Sequence, residues 1–147
     1  MENNMMSMMM NDSMDMMAGM NMDAMMALVE ACAACEQACT MCAAADMSMD
    51  GMGKCASMCM NCADMCNTMM RAMMRPMGMD MDAMMAMMNA TMMMAKACRA
   101  ECMMHADTMD HCRMCAQACE QVMMACETMM ASMKSMMPAG PSEKRRR

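Results

Sequence analysis

ACAACEQACTMC, residues 31–42, places Cys32, Cys35, Cys39 and Cys42 at steps of three, four and three. That alternation keeps four thiols on one seam of a helix, the face that packs against neighbouring helices. The same rhythm returns three times. Cys55, Cys59, Cys62 and Cys66 share a second seam, and Cys98 and Cys102 lie on a third. Cys112, Cys115, Cys119 and Cys126 form a fourth, with Val122 filling the missing step. A cysteine used only as a small core hydrophobe explains two or three of these positions. It does not explain four per helix on one face.

Composition agrees with an all-α chain. The 147 residues include 45 Met and 14 Cys, one Leu and two Val, and no Ile, Phe, Tyr or Trp. Methionine must therefore fill most of the core. It forms helices well, whereas the β-branched residues that favour strands are nearly missing. A net charge of −6 argues against general nucleic-acid binding. The first residues carry an early acid and no basic segment, so they do not read as a secretory signal. No stretch offers about 18 consecutive apolar residues for a membrane span. A cytoplasmic location, where thiols stay reduced, is expected, and this many cysteines there point to metal before disulfides.

The pattern predicts a Met-rich N-terminal arm or short helix over residues 1–20, a four-helix bundle over 21–137 and a basic C-terminal tail over 138–147. The helices are expected at about Asp23–Asp46, Lys54–Arg75, from a cap at Asp80 or Asp82 to about Ala106, and from a cap at Thr108 or Asp110 to about Met137. DMSMDGMGK (46–54) breaks the first from the second with two glycines, and Pro76 stops the second. Short connections favour antiparallel neighbours, hence an antiparallel up-down four-helix bundle with a Cys-lined core. In that topology all four seams place their thiols in one half, near the first and third loops. The other half reads Met25, Leu28, Met69, Met73, Met84, Met88, Met129 and Met133. Helix three is thiol-poor, with Thr91 and Ala95 at seam positions. Glu36, Gln37, Asp64, Arg99, Glu101, Arg113, Gln117 and Glu120 are expected to face outward.

Soft sulfur ligands select Cu(I), which is satisfied by two or three thiolates. Zinc wants four, and stacked Cys₄ zinc sites would each keep two negative charges in an apolar core. Iron–sulfur spacing is missing, and CxxC pairs in mid-helix, away from any βαβ pattern, are weak redox signals. No catalytic constellation stands out, so the chain does not read as an enzyme. Two alternatives stay open: a broader zinc or cadmium detoxification protein, and a thiol redox or purely structural bundle.

Three stretches, ACAACEQACTMCAAAD (31–46), GKCASMCMNCADMC (53–66) and KACRAECMMHADTMDHCRMCAQACEQ (96–121), make the chain resemble the bacterial Cys-rich four-helix-bundle copper storage proteins. The resemblance covers about residues 23–133. Met stands almost everywhere that apolar residues of other kinds would be expected, as in a Met-enriched, redesigned member. The resemblance implies multiple Cu(I) ions per chain held by the fourteen thiolates. It also implies a homo-oligomer, in particular a tetramer, and copper entering at a bundle end where His and Met sit. His105 and His111 both fall at the thiol end, so they join the candidate ligands as a loading site. Imidazole binds only when neutral, so loading there should weaken below about pH 6.5. Met47, Met49 and Met52, expected to be exposed beside the same end, and the N-terminal Met cluster are further candidates; the other methionines read as core filler.

Overall fold

The computed structural model describes residue 5 and residues 21–136; the rest of the expected arm and the expected tail lie outside the described residues. Four α-helices follow one another: α1 (Met22–Asp46), α2 (Gly53–Met73), α3 (Met81–Met103) and α4 (Asp110–Met136). A 3₁₀ turn, Pro76–Gly78, lies between α2 and α3. The described residues form no strand. At 21–27 residues each, the helices are about 32–40 Å long. Around the bundle α1 packs on α2 and α4, and α3 packs on the same two. This is the expected antiparallel up-down arrangement.

Local chemistry sets the ends. Asn21 caps α1, its side-chain oxygen accepting from the Ala24 N–H at 3.0 Å. Asp80 caps α3 in the same way through the Ala83 N–H at 2.9 Å. Such caps satisfy backbone donors that the first turn leaves free. Between α1 and α2 the chain reverses through Gly51, whose φ of +77° only glycine adopts readily. Arg75, before Pro76, leaves the helical region at φ −121° and ψ 64°.

Three boundaries differ from the sequence expectation. Helix α2 ends at Met73 rather than Arg75, because the chain tightens over Met74 and Arg75 into the Pro76 turn. Helix α3 ends at Met103, not near Ala106. The amides of Met104 and His105 reach back only three residues, to Glu101 and Cys102, and the coil tightens into a turn. Thr108 does not cap α4; its hydroxyl donates to the His105 carbonyl, and Asp110 is already the first helical residue.

The core is divided lengthwise. All fourteen cysteines are buried, and Met25, Leu28, Met69, Met73, Met84, Met88, Met129 and Met133 fill the opposite half. Thr91 and Ala95 are buried at the seam positions of α3. Thr91 satisfies its hydroxyl by donating to the Met87 carbonyl at 2.8 Å. No helix among the described residues is long and apolar enough to cross a membrane.

Candidate metal centre

The seams converge on a continuous column of sulfur. Beginning at the α1–α2 and α3–α4 loops, Asp46 meets Cys42, Cys55 and Cys112. Next come Cys42, Cys59, Cys102 and Cys115; then Cys39, Cys98, Cys115 and Cys119; then Cys35, Cys39, Cys62 and Cys119. Within each group the ligand-capable atoms lie within 4.8 Å of one another. Successive groups share members. Cys39 and Cys115 touch at 3.4 Å, Cys59 and Cys115 at 3.8 Å, and Cys35 and Cys119 at 3.8 Å. Beyond these groups Cys32, Cys66 and Cys126 are equally buried and border the methionine half. All fourteen thiols are free of disulfides. The structure therefore brings every sequence-predicted cysteine into one half of the core.

The mouth carries two histidine–carboxylate pairs. His111 Nε2 lies 2.9 Å from Asp46 Oδ1, and His105 Nε2 lies 3.0 Å from Glu101 Oε2. Both histidines are partly buried rather than free in solvent. Asp46 is 1% exposed and also accepts from the Cys42 and Cys112 thiols at 3.9 Å. Lys54 Nζ approaches the other oxygen of Glu101 at 3.6 Å.

Sequence reading missed both carboxylates. Asp46 follows Cys42 by four residues and so continues the seam, a step legible in the spacing. Glu101 was expected to face outward and is instead buried, drawn in by His105 and Lys54. Met52 also corrects an expectation: it is buried in the core, whereas Met47 and Met49 are exposed as anticipated. The reversal at Gly51 turns Met52 inward at the start of α2.

A family model described as Copper storage protein matches residues 21–131, which contain the whole sulfur column. The chain belongs to that family. No curated protein matches it. Among solved structures, copper storage protein Ccsp from Streptomyces lividans, loaded with 10 copper equivalents, is 36% identical with a TM-score of 0.76. The match covers 78% of this chain and 89% of that one. A single-histidine variant of Streptomyces lividans Ccsp is 35% identical over 79% of this chain and 99% of its own, with a TM-score of 0.76. A third structure, described as copper loading to a cytosolic copper storage protein from Streptomyces lividans with five coppers, is 37% identical over 74% and 93%, with a TM-score of 0.72.

In this copper storage protein, burial also governs the thiol protons. It pushes the Cys112 thiol up to about 12, with Cys42 and Asp46 adding to the effect. Burial pushes Cys126 up to about 12 as well, helped by the nearby Cys32 and Glu127. Cys55 is raised too, first by burial and then by Asp46. Along the middle of the column the thiols hydrogen-bond one another and titrate as a cluster. These raised values bear on stability. Between the ordinary thiol value of 9.0 and about 12, the folded state keeps protons that the unfolded chain gives up. Stability is then complete below the unfolded value and is lost as pH rises through the folded one, by at most about 1.4 kcal/mol per pH unit for each such thiol. Urea unfolding of the reduced, metal-free protein should show a lower midpoint at about pH 11 than at about pH 8. An unchanged midpoint would mean that the thiols ionise as readily folded as unfolded.

Proposed function

We propose that this chain stores Cu(I) on the fourteen thiolates of its core, with His105 and His111 at the mouth through which copper is loaded. The observation that carries the reading is the sharing of thiols between successive groups. Four separate tetrahedral zinc sites would need about sixteen ligands, and the four groups are built from twelve residues, eleven cysteines and Asp46. A column in which each sulfur bridges two ions suits Cu(I), and one Cu(I) per thiolate leaves the buried core close to neutral. Sulfurs around a three-coordinate metal with bonds of about 2.3 Å lie about 4 Å apart, and neighbouring sulfurs here lie 3.4–4.0 Å apart. Small rotamer changes would convert one arrangement into the other.

Storage calls for no turnover, and we read the chain as a binding protein rather than an enzyme. Free thiols fit a reducing compartment, and a relative is described as cytosolic; the cytoplasm is accordingly its proposed location. Homo-oligomerisation, in particular a tetramer, is part of the same reading on family grounds. We assign residues 21–137 to the storage bundle and treat the flanking residues 1–20 and 138–147 as a Met-rich arm and a basic tail.

Anaerobic titration of the reduced protein with Cu(I) against a coloured chelator tests the proposal. Binding of about 14 ions per chain is expected. Saturation at two or three would sink storage, and tight zinc binding with little Cu(I) would favour a broader detoxification role. A second expectation concerns the mouth. Imidazole holds Cu(I) less firmly than thiolate and suits a site that must also let go. Replacing His105 and His111 together by alanine should slow copper loading and removal while total capacity stays near the parent value. Stopped-flow loading at the parent rate would place the path elsewhere.

A further inference from the structure

On each helix, an exposed methionine is the chain neighbour of a buried column cysteine: Met41 beside Cys42, Met60 beside Cys59, Met103 beside Cys102 and Met114 beside Cys115. Those four cysteines are not scattered. They form a single group, the first all-thiol layer below the mouth. The four methionines are between 49% and 72% exposed. Adjacent residues on a helix point about 100° apart, so a side chain next to an inward one can reach solvent at the same level. The layer Cys42, Cys59, Cys102 and Cys115 is thus ringed from outside by four thioethers. None of them is needed to fill the core.

We propose that this outer ring is a sacrificial reductant, with peroxide as the oxidant it consumes. The step is a two-electron oxygen transfer. The O–O bond of hydrogen peroxide breaks, one oxygen bonds to the thioether sulfur as a sulfoxide, and water leaves with the other oxygen and both hydrogens. The reaction it pre-empts is specific to this core. Peroxide converts one thiol to a sulfenic acid with release of water; a neighbouring thiol condenses with it to a disulfide, releasing a second water. Neighbours at 3.4–4.0 Å, such as Cys39 and Cys115 or Cys59 and Cys102, are placed for that condensation. Each disulfide would remove two copper ligands. A sulfoxide at Met41 or Met114 places an oxygen in water and leaves the packing untouched. The same change at fully buried Met69 or Met88 would put a polar group into an apolar core.

The full chain, reduced and copper-free, is exposed anaerobically to limiting hydrogen peroxide and mapped by peptide mass spectrometry, with thiols counted after denaturation. One added oxygen on Met41, Met60, Met103 and Met114 should appear before thiol loss and before oxidation of Met69 and Met88. Cu(I) capacity should stay unchanged at that stage. The combined variant Met41→Gln, Met60→Gln, Met103→Gln and Met114→Gln keeps helix-forming side chains at exposed positions. It should bind copper normally without peroxide and lose its thiols several-fold faster with it. Thiol loss ahead of ring oxidation in the parent protein would overturn the proposal, as would equal rates of thiol loss in parent and variant.

Discussion

Replacing Cys39 and Cys115 together by serine is expected to lower copper capacity by more than the two thiolates removed. Each of these residues belongs to two of the four groups, and they touch each other at 3.4 Å. If every thiolate bridges two ions, the pair contacts about three to four of them, and capacity should fall by about that number. The control is the double replacement of Cys32 and Cys126, which lie outside the four groups. Bordering the methionine half at the end of the column, each has bridging partners on one side only, so this variant should remove about two ions. Serine is nearly the size of cysteine, so both variants should stay helical by circular dichroism. Equal losses from the two variants would show that the ions occupy independent sites and that bridging does not organise the column.

Copper loading is expected to raise the thermal midpoint by more than about 20 °C and to sharpen the transition. Every ion binds the folded chain, and a site held about a hundredfold above its dissociation constant contributes about 2.7 kcal/mol. Each kcal/mol moves the midpoint of a domain this size by a few degrees, about 2–4 °C. The metal-free reference should be soft. Its largest fully buried side chains are mostly methionines, which have many rotamers and specify packing poorly. Calorimetry of the reduced protein should therefore show a broad transition without copper and a narrow, higher one with it. A sharp transition indifferent to copper would mean that these methionines pack as firmly as branched aliphatics.

The bundle and its column were legible because they rest on one periodicity. Steps of three and four put Cys32, Cys35, Cys39 and Cys42 on the inner face, and nothing in the tertiary structure overrides them. The end of the same series was less readable. Asp46 is the next seam position after Cys42, yet a carboxylate there looks like the outer edge of a helix until His111 and two thiols supply its partners. Glu101 escaped for a different reason. It lies three residues after Cys98, and Cys102 lies four after it, so both fall near the inward face. Both are in fact buried, and what admits the Glu101 carboxylate is its pairing with His105 and Lys54, the latter on another helix. Helix ends were displaced by two to three residues where the last turn tightened, as after Met103, because backbone geometry there has no side-chain signature.

The lengthwise division of the core makes the two ends of the bundle unequal partners during filling and emptying. The half built from Met25, Leu28, Met69, Met88 and Met129 contains no thiol, so its contacts are the same whether or not cargo is present. That end acts as a fixed clasp, holding four helices in register while the other end adjusts its rotamers to each arriving ion. Amide exchange should accordingly slow on loading in the turns around Cys42, Cys59, Cys102 and Cys115 and change little around Met73 and Met133. A vessel that keeps one end closed can give up its contents without coming apart.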